Sequence, residues 1–160
     1  MMNLEIQAIY VMWLRQMKRF VRSKSRLVVS IIQPLFFLLI LGSGFNQLQL
    51  AEIGNVEYRS FLAPGIITMA IVFSSMFTGI SVLWDKQFGF LQEVLVAPVS
   101  RLSIIIGRTL GGASVALVQG FIILLISIFL GIPFSGPVGI LLTLLFMIFT
   151  AFTAVGFGLI

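Results

Sequence analysis

Apolar positions along this chain come in long unbroken runs, not in the alternation of strands or the stripes of soluble helices. No residue from Leu27 to Ala51 is charged, and the strongly apolar part runs from Leu27 to Phe45. A second charge-free window covers Ser60 to Trp84, and a third begins at Thr109 and continues through Ile160. A helix needs about 20 residues to cross a hydrocarbon layer of roughly 30 Å. The first two windows therefore hold one span each. The third holds two, divided by the helix breakers in Gly131-Ile132-Pro133-Phe134-Ser135-Gly136-Pro137. The predicted spans are 27–46, 62–84, 104–130 and 138–160. The fold class is all-α: a polytopic helical integral membrane protein with a transmembrane domain over 27–160.

The segment before the first span has a different pattern. Ile6, Tyr10, Trp13, Met17, Phe20 and Val21 recur at three- and four-residue spacing, and Arg15, Lys18, Arg19, Arg22 and Arg26 fall on the opposite side. An aromatic face opposed to a cationic one suits a helix lying in the membrane interface, its rings at the headgroup boundary and its cations on anionic lipid. Residues 1–26 are therefore an amphipathic interfacial helix, with Trp13, Arg15, Lys18, Arg19 and Arg22 as its working side chains. It serves either as a plain basic anchor or also as a brace for a cytoplasmic partner. The basic segment and the apolar stretch after it are both too long for a cleaved signal peptide.

Charge sets the orientation. Six Lys and Arg residues precede the first span (Arg15, Lys18, Arg19, Arg22, Lys24 and Arg26). The loop after it has only Arg59, alongside Glu52 and Glu57. The next loop has Lys86, Arg101 and Arg108, the last near the start of the third span, and the final turn has none. Positive charge stays inside, so the amino terminus and the loop 85–103 are cytoplasmic. Composition agrees: 59% of residues are hydrophobic and 9% charged, against about 25% charged in soluble domains. The net charge of +5 thus follows membrane topology and does not mark a nucleic-acid binder.

Little chemistry is available. With neither Cys nor His, disulfides, thiol nucleophiles and the usual zinc ligands are missing together. With Arg108 counted among the loop charges, no ionisable side chain is expected within the spans, unlike most ion-coupled carriers. Gly107 and Gly112 have P-loop spacing, but Ala113 stands where Lys would be needed. No catalytic residue, metal site or bound cofactor is expected in this chain. Gln33, before Pro34, and Gln119, midway along the third span, are candidates for helix packing or for lining a transport path. Pro34 is expected to kink the first span and Pro64-Gly65 to shape entry to the second. Gly112, Ala116 and Gly120 form one small-residue stripe, and Thr150, Ala154 and Gly158 another.

The loop 85–103 is too polar to span and too apolar to be idle. Phe88, Leu91, Val94 and Leu95 share a helical face ended by Pro98, which the membrane surface or a protein groove would bury.

Here the chain resembles the membrane subunit of type-2 ATP-binding-cassette (ABC) exporters, the permeases for drugs, lipids and polysaccharides. The matching pieces lie in family order. They are Trp13-Leu14-Arg15 and the basic residues after it, Gln33-Pro34, Tyr58-Arg59-Ser60-Phe61-Leu62-Ala63-Pro64-Gly65, and Asp85-Lys86-Gln87-Phe88-Gly89-Phe90-Leu91 with Ala97-Pro98-Val99-Ser100-Arg101. The resemblance implies a coupling helix in the loop, with Phe88, Gly89, Leu91, Glu93 and Leu95 docking on a cytoplasmic ABC ATPase. It also implies a second permease copy, ATP and magnesium in the ATPase, and residence in the plasma (inner) membrane of a prokaryote. An acid often stands in the family where this chain has Gln87. Six spans are expected of the family and four are present, so the chain reads as the first two-thirds of a permease. The competing functions are an ATPase-independent channel or carrier and a non-transport membrane scaffold.

Overall fold

In a computed structural model, the described residues are 2–46, 58–87, 99–132 and 136–158. They form five helices: α1 (Met2–Arg22), α2 (Lys24–Asn46), α3 (Tyr58–Gln87), α4 (Arg101–Phe129) and α5 (Gly136–Gly158). The described regular structure is entirely helical, and the chain is a multi-pass α-helical membrane protein. Phe61–Ser81 of α3, all of α4 and all of α5 are each long and apolar enough to cross a bilayer. The span expected at 27–46 corresponds to α2, whose residues Leu27–Leu41 meet α1 at a bend of 71°. If the bent pair is one span, the count rises from three to four.

The bend sits at Ser23. Its backbone N–H caps α1 on the carbonyls of Arg19 and Phe20, and its own carbonyl receives the N–H of Leu27 to begin α2. The Ser23 hydroxyl also donates to the Phe20 carbonyl. One residue thus satisfies groups that two helix ends would otherwise leave bare. Pro34 and Pro64 lie inside α2 and α3 and terminate neither.

α4 starts on a side-chain cap, the Ser100 hydroxyl accepting from the Ser103 N–H at 3.2 Å. It ends where the breaker cluster predicts. Ile132 N–H reaches back to the Ser127 carbonyl and Gly131 N–H to that of Ile128, with Gly131 at φ +74°. That is a Schellman closure, and it requires a residue tolerant of the left-handed region.

The core forms where α3, α4 and α5 meet, around Ile67, Ala70, Ile71, Ala113, Ala116, Ile123, Leu124, Met147 and Ala151. The stripe Gly112-Ala116-Gly120 lies at its centre. A methyl on Gly112 would come within 2.6 Å of Thr78 Cγ2, and one on Gly120 within 2.8 Å of Met147 Cε. The stripe expected on the last helix is offset. Met147, Ala151 and Val155 are its buried positions, while Thr150 and Ala154 are half-exposed. The third member of the expected stripe, Gly158, does meet a neighbour closely, since a methyl on Gly79 of α3 would collide with its carbonyl. Within this core the buried hydroxyls of Ser75 and Ser127 stay on their own helices, donating to the Ile71 and Ile123 carbonyls. The outer faces of α2 and α5 remain apolar, as lipid contact requires.

Candidate functional site at the junction of α1, α3 and α4

α1 lies along the first half of α4, and two glycines set how closely. A methyl on Gly107 would fall 2.8 Å from Met12 Cβ and 2.9 Å from the Ile9 carbonyl oxygen. One on Gly111 would fall 2.7 Å from Gln16 Cβ. Only glycine permits that approach, and it brings polar groups into reach on both sides. Trp13 Nε1–H donates to the Ser114 hydroxyl at 3.0 Å, and the Ser103 hydroxyl donates to Glu5 Oε2 at 3.4 Å. The indole assigned to the headgroup boundary is thus half-buried against α4. Tyr10, stacked on Trp13 at 5.9 Å between ring centroids, is exposed.

α3 contributes the acid. Asp85, one turn before the segment 88–98, meets three guanidinium groups. Arg19 Nη1–H donates to Oδ1 at 3.3 Å, Arg15 Nη2 lies 3.6 Å from the same oxygen, and Arg108 Nη2 lies 3.2 Å from Oδ2. The Asp85 and Arg108 side chains are 13% and 9% exposed, and those of Arg15 and Arg19 are 35% and 40%. The contributions differ accordingly. An exposed ion pair is worth about 0–1 kcal/mol. Removing one member of a buried pair leaves an uncompensated charge, at roughly 3–5 kcal/mol. Asp85–Arg108 is therefore the strong contact, and Arg15 and Arg19 tie α1 onto it. Among the described residues, this ion pair with Asp85 is the contact that answers the buried Arg108 Nη2.

A cavity of about 310 Å³ opens beside this junction, between α1, α2, α3 and α4. Phe20, Phe37, Phe73 and Phe77 supply apolar wall, while Arg19, Gln33 and Gln119 are among its polar lining. Gln119 is 3% exposed and donates through Nε2 to the Ser30 hydroxyl at 2.9 Å, bridging α4 to α2. Its Oε1 is buried without a hydrogen-bond partner among the described residues. Gln33 is exposed on α2 and lines the same cavity.

The residues selected from sequence divide three ways. Trp13, Arg15 and Arg19 come together at the junction, though Arg15 and Arg19 face Asp85 where lipid was the expected counter-charge. Lys18 and Arg22 remain exposed on α1. Phe88, Gly89, Leu91, Glu93 and Leu95 lie outside the described residues. Asp85 and Arg108 were not selected for this role, nor Gly107 and Gly111 as helix contacts. Arg108 was counted as a loop charge, whereas it lies two turns inside α4, nearly enclosed. The available signal was that Asp85 is the chain's sole aspartate, at one span end, with Arg108 between apolar residues at the start of the next.

The class these features define is a multi-pass helical membrane domain with a bent amphipathic entry helix and a charge-pinned helix junction. Residues 7–160 match the family described as ABC-2 type transporter, and the chain belongs to that family. It is 33% identical over 130 residues to "Putative transport permease ycf38" of Cyanophora paradoxa, covering 79% of this chain and 44% of that protein. Against "Probable multidrug ABC transporter permease YbhR" of Escherichia coli (strain K12) it is 33% identical over 108 residues, 66% of this chain and 29% of that one. For "Inner membrane transport permease YadH" of the same strain the values are 28% over 137 residues, 84% and 53%. The chain spans about half the length, or less, of these relatives. No solved structure matches it.

Proposed function

We propose that this chain forms part of the membrane-spanning permease subunit of an ATP-driven exporter. In this reading it lies in the inner membrane of a prokaryote with its amino terminus cytoplasmic. A second permease copy completes the path, and a separate ABC ATPase binds and hydrolyses ATP with magnesium, so this chain performs no catalysis itself. The observation that carries the reading is family membership over residues 7–160, and the distribution of Lys and Arg supports the orientation.

The junction gives the reading a mechanism. In this reading the loop 85–103 is the coupling segment, and Phe88, Gly89, Leu91, Glu93 and Leu95 are its contacts on the ATPase by the helix-in-groove mode. Asp85 stands one turn before that helix and ties α3 to α1 and α4. A push on the coupling helix is passed to three helices together, since packed interfaces shift as units. α1 lies in the interface and braces the same junction. The cavity of about 310 Å³, with phenyl rings and amides on its walls, suits an amphipathic compound, in line with the multidrug name of YbhR.

The test uses the complete permease with its ATPase. Phe88→Asp and Leu91→Asp should leave the spans inserted and reduce ATPase association about thirtyfold, since a buried interface side chain is often worth about 2 kcal/mol. Wild-type association and transport in both variants would reduce the segment to a membrane-surface helix. ATP-independent flux would instead favour a channel or carrier.

A further inference from the structure

We propose that the outer face of α1 carries a binding site for the phosphodiester headgroup of an anionic phospholipid. The site is a groove of about 650 Å³ lined by Val11, Leu14, Arg15, Lys18, Arg19, Arg22 and Ser23. Four of these side chains are cations on neighbouring turns of one helix, where like charges repel. The carboxylate that answers them is Asp85, and it binds Arg15 and Arg19. Neither Lys18 nor Arg22 has an ion-pair partner among the described residues. Lys18 and Arg22 thus stand uncompensated among the described residues, about 6 Å apart along the helix, in a concavity that a phosphate can enter and that guanidinium groups grip in a forked geometry.

The position of the groove selects a lipid over a soluble anion. It ends at the Ser23 elbow, and the charge-free run of α2 begins at Leu27, about 6 Å further along the chain. Val28, Val29 and Ile32 are exposed just beyond the elbow, where acyl chains of a lipid held by its headgroup would lie. Val11 and Leu14 give the groove an apolar lip. This inference rests on the interfacial placement of α1 and does not depend on ATPase coupling.

The test places the full chain in nanodiscs of equal phosphatidylglycerol and phosphatidylcholine, then measures by mass spectrometry the lipid retained after detergent extraction. Phosphatidylglycerol should be retained in preference, and Lys18→Gln with Arg22→Gln should lower its retention roughly thirtyfold, at the free energy typical of two basic residues near an anionic surface. Lys18→Arg should keep the preference, and so should Arg101→Gln, an exposed cation of α4. Both groove variants change exposed side chains, so correct insertion serves as the folding control. Equal retention of both lipids by the unaltered chain overturns the site, as does an Arg101→Gln loss as large as that from Lys18→Gln. Displacement of the lipid by inorganic phosphate marks a soluble-anion site and overturns it too. If Lys18 and Arg22 are instead needed only to retain the ATPase, the groove belongs to an acidic protein surface and the lipid site fails.

Discussion

Asp85 is the residue on which three helices converge, and the energies of its contacts are unequal. Arg108 is almost enclosed, so Asp85→Asn should strand a buried guanidinium and destabilise the helix assembly by roughly 3–5 kcal/mol. Arg108→Gln should be damaging in the same way, by leaving the carboxylate with only its half-exposed partners. The double substitution removes both charges and should be milder than the sum, by at least about 1 kcal/mol of interaction energy. Thermal unfolding of the four proteins in detergent measures this, and strict additivity would show the pair to be incidental. Gln119 behaves differently. It makes one hydrogen bond and leaves one buried carbonyl oxygen unsatisfied. Gln119→Leu removes both and should change stability by less than about 1 kcal/mol, provided no ligand occupies the cavity. A large loss in the same unfolding assay would reveal a partner for Oε1.

At the scale of elements, the close pairing of α1 with α4 depends on Gly107 and Gly111, where a side chain has no room. Gly111→Val should lift α1 from α4, break the Trp13–Ser114 hydrogen bond and expose the indole to quenchers. Gly65→Ala, with nothing within 4 Å of the added carbon, is the matched control and should leave Trp fluorescence and thermal stability unchanged. If Gly111→Val also leaves both unchanged, the close packing has no role in holding α1. The helices themselves were legible because lipid imposes a pattern that cannot be shifted. Charge-free windows mark α3, α4 and α5 to within a few residues, and Gly131 marks the end of α4. Their contacts were less legible. A helical wheel shows that α1 has a cationic face but not which carboxylate answers it, because Arg19 and Asp85 are distant in sequence. Small residues are legible as a stripe, yet whether Ala151 or Ala154 turns inward depends on the rotation of α5, which its near-uniform apolar surface does not encode.

For the whole molecule, the sequence predicts an orientation as well as a set of helices. With no native cysteine, Asn55→Cys gives a single label between α2 and α3. It should react with an impermeant maleimide on intact cells, whereas labelling only after permeabilisation would invert the assignment. Replacing Arg15, Lys18, Arg19 and Arg22 together by Glu should impair insertion or invert α2, and normal topology in that variant would make those charges irrelevant to orientation. The proposed coupling role of Phe88 and Leu91 rests on resemblance, because spacing shows a shared apolar face and does not say what buries it. Its anchor at Asp85 needed the structure, because it is assembled from α1, α3 and α4.

In the proposed function the Asp85 junction passes motion from residues 88–98 to the membrane helices. The most direct measurement is transport per ATP hydrolysed by the complete permease and its ATPase in proteoliposomes, comparing Asp85, Asp85→Glu and Asp85→Asn. On the proposed coupling through residues 88–98, Asp85→Asn should still bind the ATPase, and hydrolysis should continue while transport per ATP falls about tenfold or more, as a loss above about 1.4 kcal/mol in the linkage requires. Asp85→Glu, which keeps the charge, should recover much of it. Wild-type transport per ATP in a correctly inserted Asp85→Asn protein would contradict the claim.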